Sequence, residues 1–546
     1  MVTMQFKTKE KLIAFLLESG ISNDILKDAT DDELQRIQEH VKKKIKQVRA
    51  EKEKLLKTEG VSCYVDDDGD VVEEILMEDG SVGFVCWKEN DSMIAYPSDK
   101  FSPINDEMLK KKVVMLSTGI EEYDNEEKLM AELKIHMEKY VDVEGDFLEQ
   151  AVFYILLSWV YDRLNTVPYL RALGDTGTGK SRFLDVIGSL CYKPMKITGA
   201  ASPAAIFRII EKWKGTLIIE EADRKQSDTS DDVVKILNCG YERDNPVVRC
   251  DKDDPNDIRV HDVFGPKVIS SRKTFYDKAL ESRCITYVTR ETKRSDIPPL
   301  LPPSFFVNNM ILRNKLLLWR LKNWKRIDVN VLEEPEKFGL SGIEPRLKQT
   351  AMPFLVLFTN EALRKKFIEF IKTYQIILID ERSESDEGLL VNAYKNLVEN
   401  GQEKITATDI MNFVNEELKD KNKWSKRKVG GLLRSIGFLS KVKTISGESI
   451  RLVEISDEQY DTLLNRYNSE YFTKKITEVT EITDITNTPK NKKNVLNSAN
   501  EDVDGVSVCN VISVTSVTDE KEETNKKPIK KDGLNIEELD LENREE

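Results

Sequence analysis

Histidine is almost missing from this chain, with three residues in 546 (His40, His136, His261), and the seven cysteines (Cys63, Cys86, Cys191, Cys239, Cys250, Cys284, Cys509) form no C-x-x-C pair. That scarcity argues against a zinc centre or a disulfide framework and leaves isolated buried thiols as the expected state of the cysteines. Long apolar runs are lacking too. The opening MVTMQFKTKEK has no apolar core of the signal-peptide kind, and the strongest run, AVFYILLSWVY from Ala151 to Tyr161, is far short of a membrane span. We therefore expect a soluble, cytoplasmic protein with no membrane partner. An excess of positive charge is also absent: the net charge is −14, so any nucleic-acid contact must be local. What the chain has in abundance is charge of both signs, 33% of residues, over a length that allows three or four domains.

Residues 1–60 read as a helical N-terminal region. Thr30-Asp-Asp-Glu33 matches a capping box, and Leu34, Ile37, Val41, Ile45, Val48 and Leu55 follow at mostly helical spacing. A helical hairpin or short coiled coil fits, as does the plainer reading of an amphipathic helix lying on its own domain. Over 61–110 the pattern turns to β, with VSCYV and GFVCW around the turn signals Asp68-Gly69 and Asp79-Gly80. The acids Asp66, Asp67, Asp68 and Asp70 do not make a calcium loop, because Tyr64 and Ile75 occupy its first and last positions; they read as an acidic hairpin turn.

Over 111–297 a helix between Glu144 and Leu164 precedes PYLRALG, a buried strand, and the strands TLIIE and KVISS alternate with helical stretches. That alternation predicts an α/β domain with a mainly parallel sheet. Gly174, Asp175, Thr176, Gly177, Thr178, Gly179, Lys180 and Ser181 then complete a G-x-x-x-x-G-K-[ST] pattern between a strand and a helix, RFLDVIGSL. Glycines there let backbone amides turn inward around a polyphosphate, and the helix N-terminus adds its positive end. Lys180 is expected on the β and γ phosphates of ATP and Ser181 on Mg²⁺.

The strand Thr216 to Glu220 ends in two acids. Glu220 suits a metal role, although one methylene longer than the usual Asp, and Glu221 suits polarising the attacking water. A charged strand end facing solvent is the plainer reading of the two acids. With KVISS and Ala279-Leu-Glu-Ser-Arg283-Cys284 added, the chain resembles the AAA+ ATPases. The resemblance implies that Ser271 (or Ser270) senses the γ-phosphate and that Arg283 is a finger reaching the neighbouring subunit's ATP; a surface arginine in an ion pair is the plainer reading. LLSWVYDRLNTVPYLRALGDTGTGKS, SPAAIFRIIEKWKGTLIIEEAD, ILNCGYERDNPVVRC, FGPKVISS and ALESRC follow the order of helicase-like domains in phage, plasmid and integrated-element replication proteins, over roughly Val143 to Leu300 and more weakly to Tyr467. In those proteins the helical lid, here 298–375, often carries a further arginine, which places Arg346 as a second sensor. They are often fused to a primase, but no primase acids can be identified in the first 140 residues.

Over 390–467 two helices and a hairpin turning at Ser446-Gly447 follow in the order of a winged helix. From Lys419 to Arg451 ten basic residues face two acids, a net of +8 in an acidic chain. Lys426, Arg427, Lys428, Arg434, Lys441 and Lys443 are the candidate DNA contacts, against a solvated basic face on a protein-docking module; Trp424 reads as core. Residues 472–546 carry no aromatic after Phe472 and are expected to be disordered. The whole predicts an ATP-dependent DNA motor, a helicase or replication initiator of a mobile element, working as a homo-oligomer in a hexameric ring with ATP and Mg²⁺ and, as a further partner, a primase or other replication protein. A nucleotide-gated DNA-binding regulator and a protein-remodelling ATPase are the alternatives.

Overall fold

The computed structural model describes residues 58–88, 91–95, 100–198, 201–222, 228–250, 258–419, 422–445 and 448–475, with six single positions between 30 and 43. The helical region expected over 1–60 and the disordered tail expected over 472–546 fall almost wholly outside the described residues, as do Asp223 and the turn at Ser446-Gly447.

Four antiparallel strands follow in chain order: β1 (Cys63–Val65), β2 (Val71–Leu76), β3 (Val82–Lys88) and β4 (Asp91–Ala95). Gly69 and Gly80 take φ of +77° and +79° in the two tight turns, a conformation other residues rarely adopt. The acidic turn carries no free carboxylate cluster. Lys88 Nζ lies 2.7, 2.6 and 3.2 Å from Asp66, Asp68 and Asp70, so an ammonium stands where a cation would.

The next layer is a five-stranded parallel sheet in the order β11-β5-β10-β7-β6, formed by β5 (Tyr169–Leu173), β6 (Met195–Ile197), β7 (Leu217–Ile219), β10 (Lys267–Ser271) and β11 (Cys284–Val288). An antiparallel hairpin, β8 (Val247–Cys250) and β9 (Ile258–His261), rises between β7 and β10. Alternate residues of each strand face opposite sides, and both sides are covered. Leu170, Ala172, Ile218, Val268 and Ile285 pack in one core with α1 (Glu126–Glu138), α2 (Gly145–Ser158) and α3 (Lys180–Ile187). Tyr169, Leu217, Ile219, Ile269 and Cys284 pack with α4 (Pro203–Trp213) and α5 (Asp228–Cys239). A one-turn helix, α6 (Lys278–Glu281), leads into β11.

The helices α7 (Pro303–Asn323), α8 (Pro345–Ala351) and α9 (Glu361–Ser383) join the first of these two cores through Leu316, Trp319, Leu347, Phe367 and Ile371. A separate core belongs to α10 (Asp386–Glu399), α11 (Ala407–Glu417), α12 (Lys426–Ser435), the hairpin β12 (Leu439–Ile445) with β13 (Glu448–Glu454), and α13 (Asp457–Tyr467). Thr406, the N-cap of α11, also bridges to Leu452 of β13, which ties the hairpin to the helices. Among the described residues no helix is long and apolar enough to cross a membrane.

The small sheet sits on the core through charge. Glu73 of β2 accepts from Arg320 Nε (2.8 Å), Lys193 Nζ (2.8 Å) and Tyr192 Oη, all buried. Its neighbour Glu74 is 2% exposed, and neither oxygen has a side-chain hydrogen-bond partner among the described residues. Burial pushes the Glu74 carboxyl up to about 8, against a smaller opposing pull from Lys193. The folded protein therefore holds a proton there that an unfolded chain releases near the ordinary glutamate value of about 4.3. This contribution to stability is complete below that pH and is lost as pH rises through about 8. The variant Glu74→Gln should keep more of its thermal stability than the parent between about pH 5 and pH 8, measured as Tm against pH; superimposable Tm profiles would refute a buried, protonated Glu74.

Candidate nucleotide site

The C-terminal edge of the parallel sheet gathers the expected residues. Leu173 of β5 pairs with Ser271 of β10 and with Val288 of β11, so the glycine loop emerges between two neighbours of equal height. Gly174 N donates to Ser271 O at 3.2 Å, and Thr289 N donates to Leu173 O at 2.7 Å. Thr178 closes the loop on itself and on β11, with its Oγ1 2.7 Å from both Asp175 O and Thr289 Oγ1.

Glycine is required here for two reasons. At Gly174 a Cβ would lie 2.4 Å from Thr289 Oγ1 and 2.9 Å from Thr289 O, closer than atoms can approach. At Gly177 and Gly179 φ is +87° and +88°, and a Cβ would meet nothing within 4 Å. The first glycine permits close packing; the other two bend the backbone around open space. Asp175, Thr176 and Gly177 are exposed along that cradle. Lys180 and Ser181 open α3, whose first amides and dipole face the same space. Lys180 Nζ donates to Asp175 O across the loop mouth, and Ser181 is exposed. A loop of this shape with an amine at a helix start fits a polyphosphate.

The acids stand two strands away on the same edge. Glu220 follows β7 and lies 3.8 Å from Lys196 Nζ of β6, which also bonds Asp185 of α3. Glu221 has φ of +54°, donates its N–H to Ser270 Oγ at 3.2 Å, and turns its carboxylate to Arg272, 2.5 Å away. Ser270 thus supports Glu221 from behind. Ser271 is fully buried, and its Oγ has no partner among the described residues. Ser181 and Glu220 offer hard oxygen donors on one edge, a set that suits Mg²⁺.

Arg283 and Arg346 are not part of this edge. Arg283 O accepts from Tyr169 N at the N-terminal end of β5, and five strand residues put that end about 16 Å from the loop. The two guanidiniums lie over the Tyr241 ring, at 5.0 and 5.4 Å, and Arg346 Nε donates to Ser282 Oγ at 2.9 Å. Arg283 also bonds the Asn238 carbonyl at 2.9 Å. Among the described residues neither arginine has a carboxylate in ion-pair contact. The helix turn carrying Arg283 is anchored by a forked pair between Glu281 and Arg171 of β5, which is 1% exposed.

The candidate DNA contacts sit on the C-terminal module. Val429 and Leu433 point α12 into its core, leaving Lys426, Arg427, Lys428 and Arg434 exposed. Lys428 pairs with Asp386 at 2.8 Å and lies over Trp424. Lys441 and Lys443 both reach Glu454, at 2.8 and 2.6 Å. Trp424 is buried, as its reading as core requires.

Sequence reasoning passed over four residues of the site. Thr289 directly follows β11, a strand not foreseen; Lys196 and Asp185 are single charges inside apolar stretches; Arg272 directly follows the predicted strand and was in plain view. A charged residue within a buried strand or beside its C-terminal end is the signal that would have marked Lys196 and Arg272.

A doubly covered parallel sheet with a glycine loop and a helix start at its C-terminal edge is the arrangement of a P-loop fold. No family model and no curated protein matches the chain. It is similar to the solved structure of SCCmec type IV Cch, described as an active helicase, at 13% identity over 84% of this chain and 88% of that one, with a TM-score of 0.36. For the C-terminal region of NrS-1 the identity is 11% over 70% and 96%, with a TM-score of 0.32. For JCV helicase it is 13% over 42% and 65%, with a TM-score of 0.23.

Replacing Gly174 by alanine should strain the junction of β5 and β11 by about 1–3 kcal/mol. We expect a lower Tm together with loss of ATP binding in a fluorescent-nucleotide titration; an alanine variant with unchanged Tm and affinity would contradict this packing.

Proposed function

We propose that the chain is an ATP-dependent DNA motor of the helicase or replication-initiator kind, acting as a ring of identical subunits. The observation that carries this reading is the division of labour between the two edges of one sheet. The C-terminal edge holds the glycine loop, Lys180, Ser181, Glu220 and Glu221; the N-terminal edge holds Arg283 and Arg346.

Backbone amides of residues 174–181 and the start of α3 hold the phosphates of ATP, with Lys180 on the β and γ oxygens. Ser181 and Glu220 would hold a magnesium ion, which neutralises charge on the phosphate oxygens when bound. Glu221 orients and polarises a water for in-line attack on the γ-phosphorus, and the bond to the β–γ bridging oxygen breaks as the new P–O bond forms. Arg283, about 16 Å from its own loop, serves the neighbouring subunit's nucleotide, where a planar, permanently charged guanidinium offsets charge in the transition state. Arg346 shares its ring platform and acts beside it on that neighbour. Residues 390–467 act as a winged helix whose α12 meets the phosphate backbone through Lys426, Arg427 and Arg434, with Lys428, Lys441 and Lys443 contributing after release from Asp386 and Glu454.

ATP turnover with and without single- and double-stranded DNA tests the motor. Glu221→Gln should lower turnover about 10²–10⁴-fold and abolish unwinding while ATP-dependent DNA binding persists. Variant Arg283→Ala should likewise be inactive alone but regain part of its turnover when mixed with inactive Lys180→Ala, because each supplies what the other lacks at a shared boundary. No recovery on mixing would rule out inter-subunit sites, and full function in Glu221→Gln would favour a nucleotide-gated regulator.

The DNA face makes a separate forecast. Changing Lys426 and Arg427 together to alanine should reduce the slope of log K against log salt by about 2, near 0.9 per lost phosphate contact. An unchanged slope in DNA-binding titrations would move the DNA contact elsewhere.

A further inference from the structure

The last residues of β10 touch both halves of the nucleotide site. On one side Ser271 O accepts from Gly174 N at the start of the glycine loop; on the other, Ser270 accepts from Glu221 N through Oγ and from Ala222 N through O, at 3.2 and 2.9 Å. The next residue along, Arg272, therefore leaves the sheet between the loop and the acids. Ser271 turns its hydroxyl into the sheet and is wholly buried, whereas Arg272 is half exposed and places NH2 2.5 Å from Glu221 Oε1. A guanidinium on that carboxylate occupies an acceptor that a water would otherwise meet. Both partners are half exposed, at 51% and 56%, so the contact is screened and easily exchanged.

We propose that Arg272 distinguishes nucleoside triphosphate from diphosphate by exchanging Glu221 for the terminal phosphate. The inference rests on the nucleotide site proposed above and adds a residue and a linkage to it. With a diphosphate or no nucleotide, Arg272 stays on Glu221 and the acid is engaged. The terminal oxygens of a triphosphate carry more negative charge than one carboxylate and match the planar fork of arginine, so they draw Arg272 away. Glu221 is then free to meet water only when there is a bond to cleave. Ser271, to which (with Ser270) the family resemblance pointed, supplies its backbone carbonyl to the loop while its hydroxyl is buried.

The test is binding of a non-hydrolysable β,γ-imido ATP analogue and of ADP, with magnesium, to the full chain and to Arg272→Ala, Arg272→Lys, Glu221→Gln and the Arg272→Ala/Glu221→Gln double variant. Arg272→Ala should weaken the analogue about tenfold, the scale of a hydrogen bond to a charged group, and leave ADP unchanged. The lysine variant should fall between. Glu221→Gln should tighten the analogue by releasing Arg272, and that gain should vanish in the double variant. Equal weakening of both nucleotides in Arg272→Ala, an unchanged analogue affinity, or a Glu221→Gln gain that survives without Arg272 would each overturn the exchange while leaving the nucleotide site standing. If the parent chain binds neither nucleotide, the site itself falls and the exchange with it.

Discussion

The glycine loop is anchored from both flanks, and the rest of the site is positioned relative to that anchorage. Gly174 is tied to Ser271 on one neighbouring strand, while Leu173 and Thr178 are tied to Thr289 beyond the other. No side chain fits at Gly174, because β11 ends directly against it. The loop is therefore a continuation of the sheet's packing, and α3 inherits its direction from the sheet. An anion cradle with preset amides loses little freedom when it is filled, which is where such sites gain affinity.

The parallel order of the strands then separates two kinds of chemistry. Every strand of a parallel sheet ends on the same side, so the loops after β5, β7 and β10 lie along one edge, which carries Lys180, the acids and Arg272. Residues before the strands converge on the opposite side, where Arg283 and Arg346 share the face of Tyr241. Among the described residues neither guanidinium has a carboxylate in ion-pair contact, and it is on this that the proposed role toward a neighbour's nucleotide rests. Buried charge performs the structural tasks around this frame: Arg171 with Glu281 beneath Arg283, and Arg320 with Glu73 and Asp162 beneath the small sheet. Such pairs contribute little net stability, but loss of one partner strands a charge in the interior, so they enforce one arrangement.

Much of the frame was legible from residue patterns. The strands at 169–173 and 267–271 and the helix after Lys180 lie where apolar runs and the glycine cluster put them. The two helices and the paired strands of the C-terminal module also come in the expected order, and a capping box of Thr406 with Asp409, not foreseen from the sequence, starts α11. Three elements escaped. Met195–Ile197 is too short for a periodic signal, Cys284–Val288 was hidden behind the arginine motif, and in the paired strands Val247–Cys250 and Ile258–His261 the apolar Val248, Ile258 and Val260 are exposed, so no buried alternation marks either strand. Each is defined by its partners in space more than by its own composition.

By itself the sequence determined the local chemistry: which residues form the loop, which acids end a strand, and where positive charge is concentrated. These follow from spacing over a few residues, because backbone conformation and helix capping are decided by near neighbours. Only the tertiary structure decided which of these residues meet. It set Arg346 beside Arg283 instead of beside the loop, turned the Ser271 hydroxyl inward, and brought Arg272 against Glu221. The reason is that strand order and register, not distance along the chain, determine which side chains share an edge of a sheet; a contact across 51 residues leaves no trace in the periodicity of either segment.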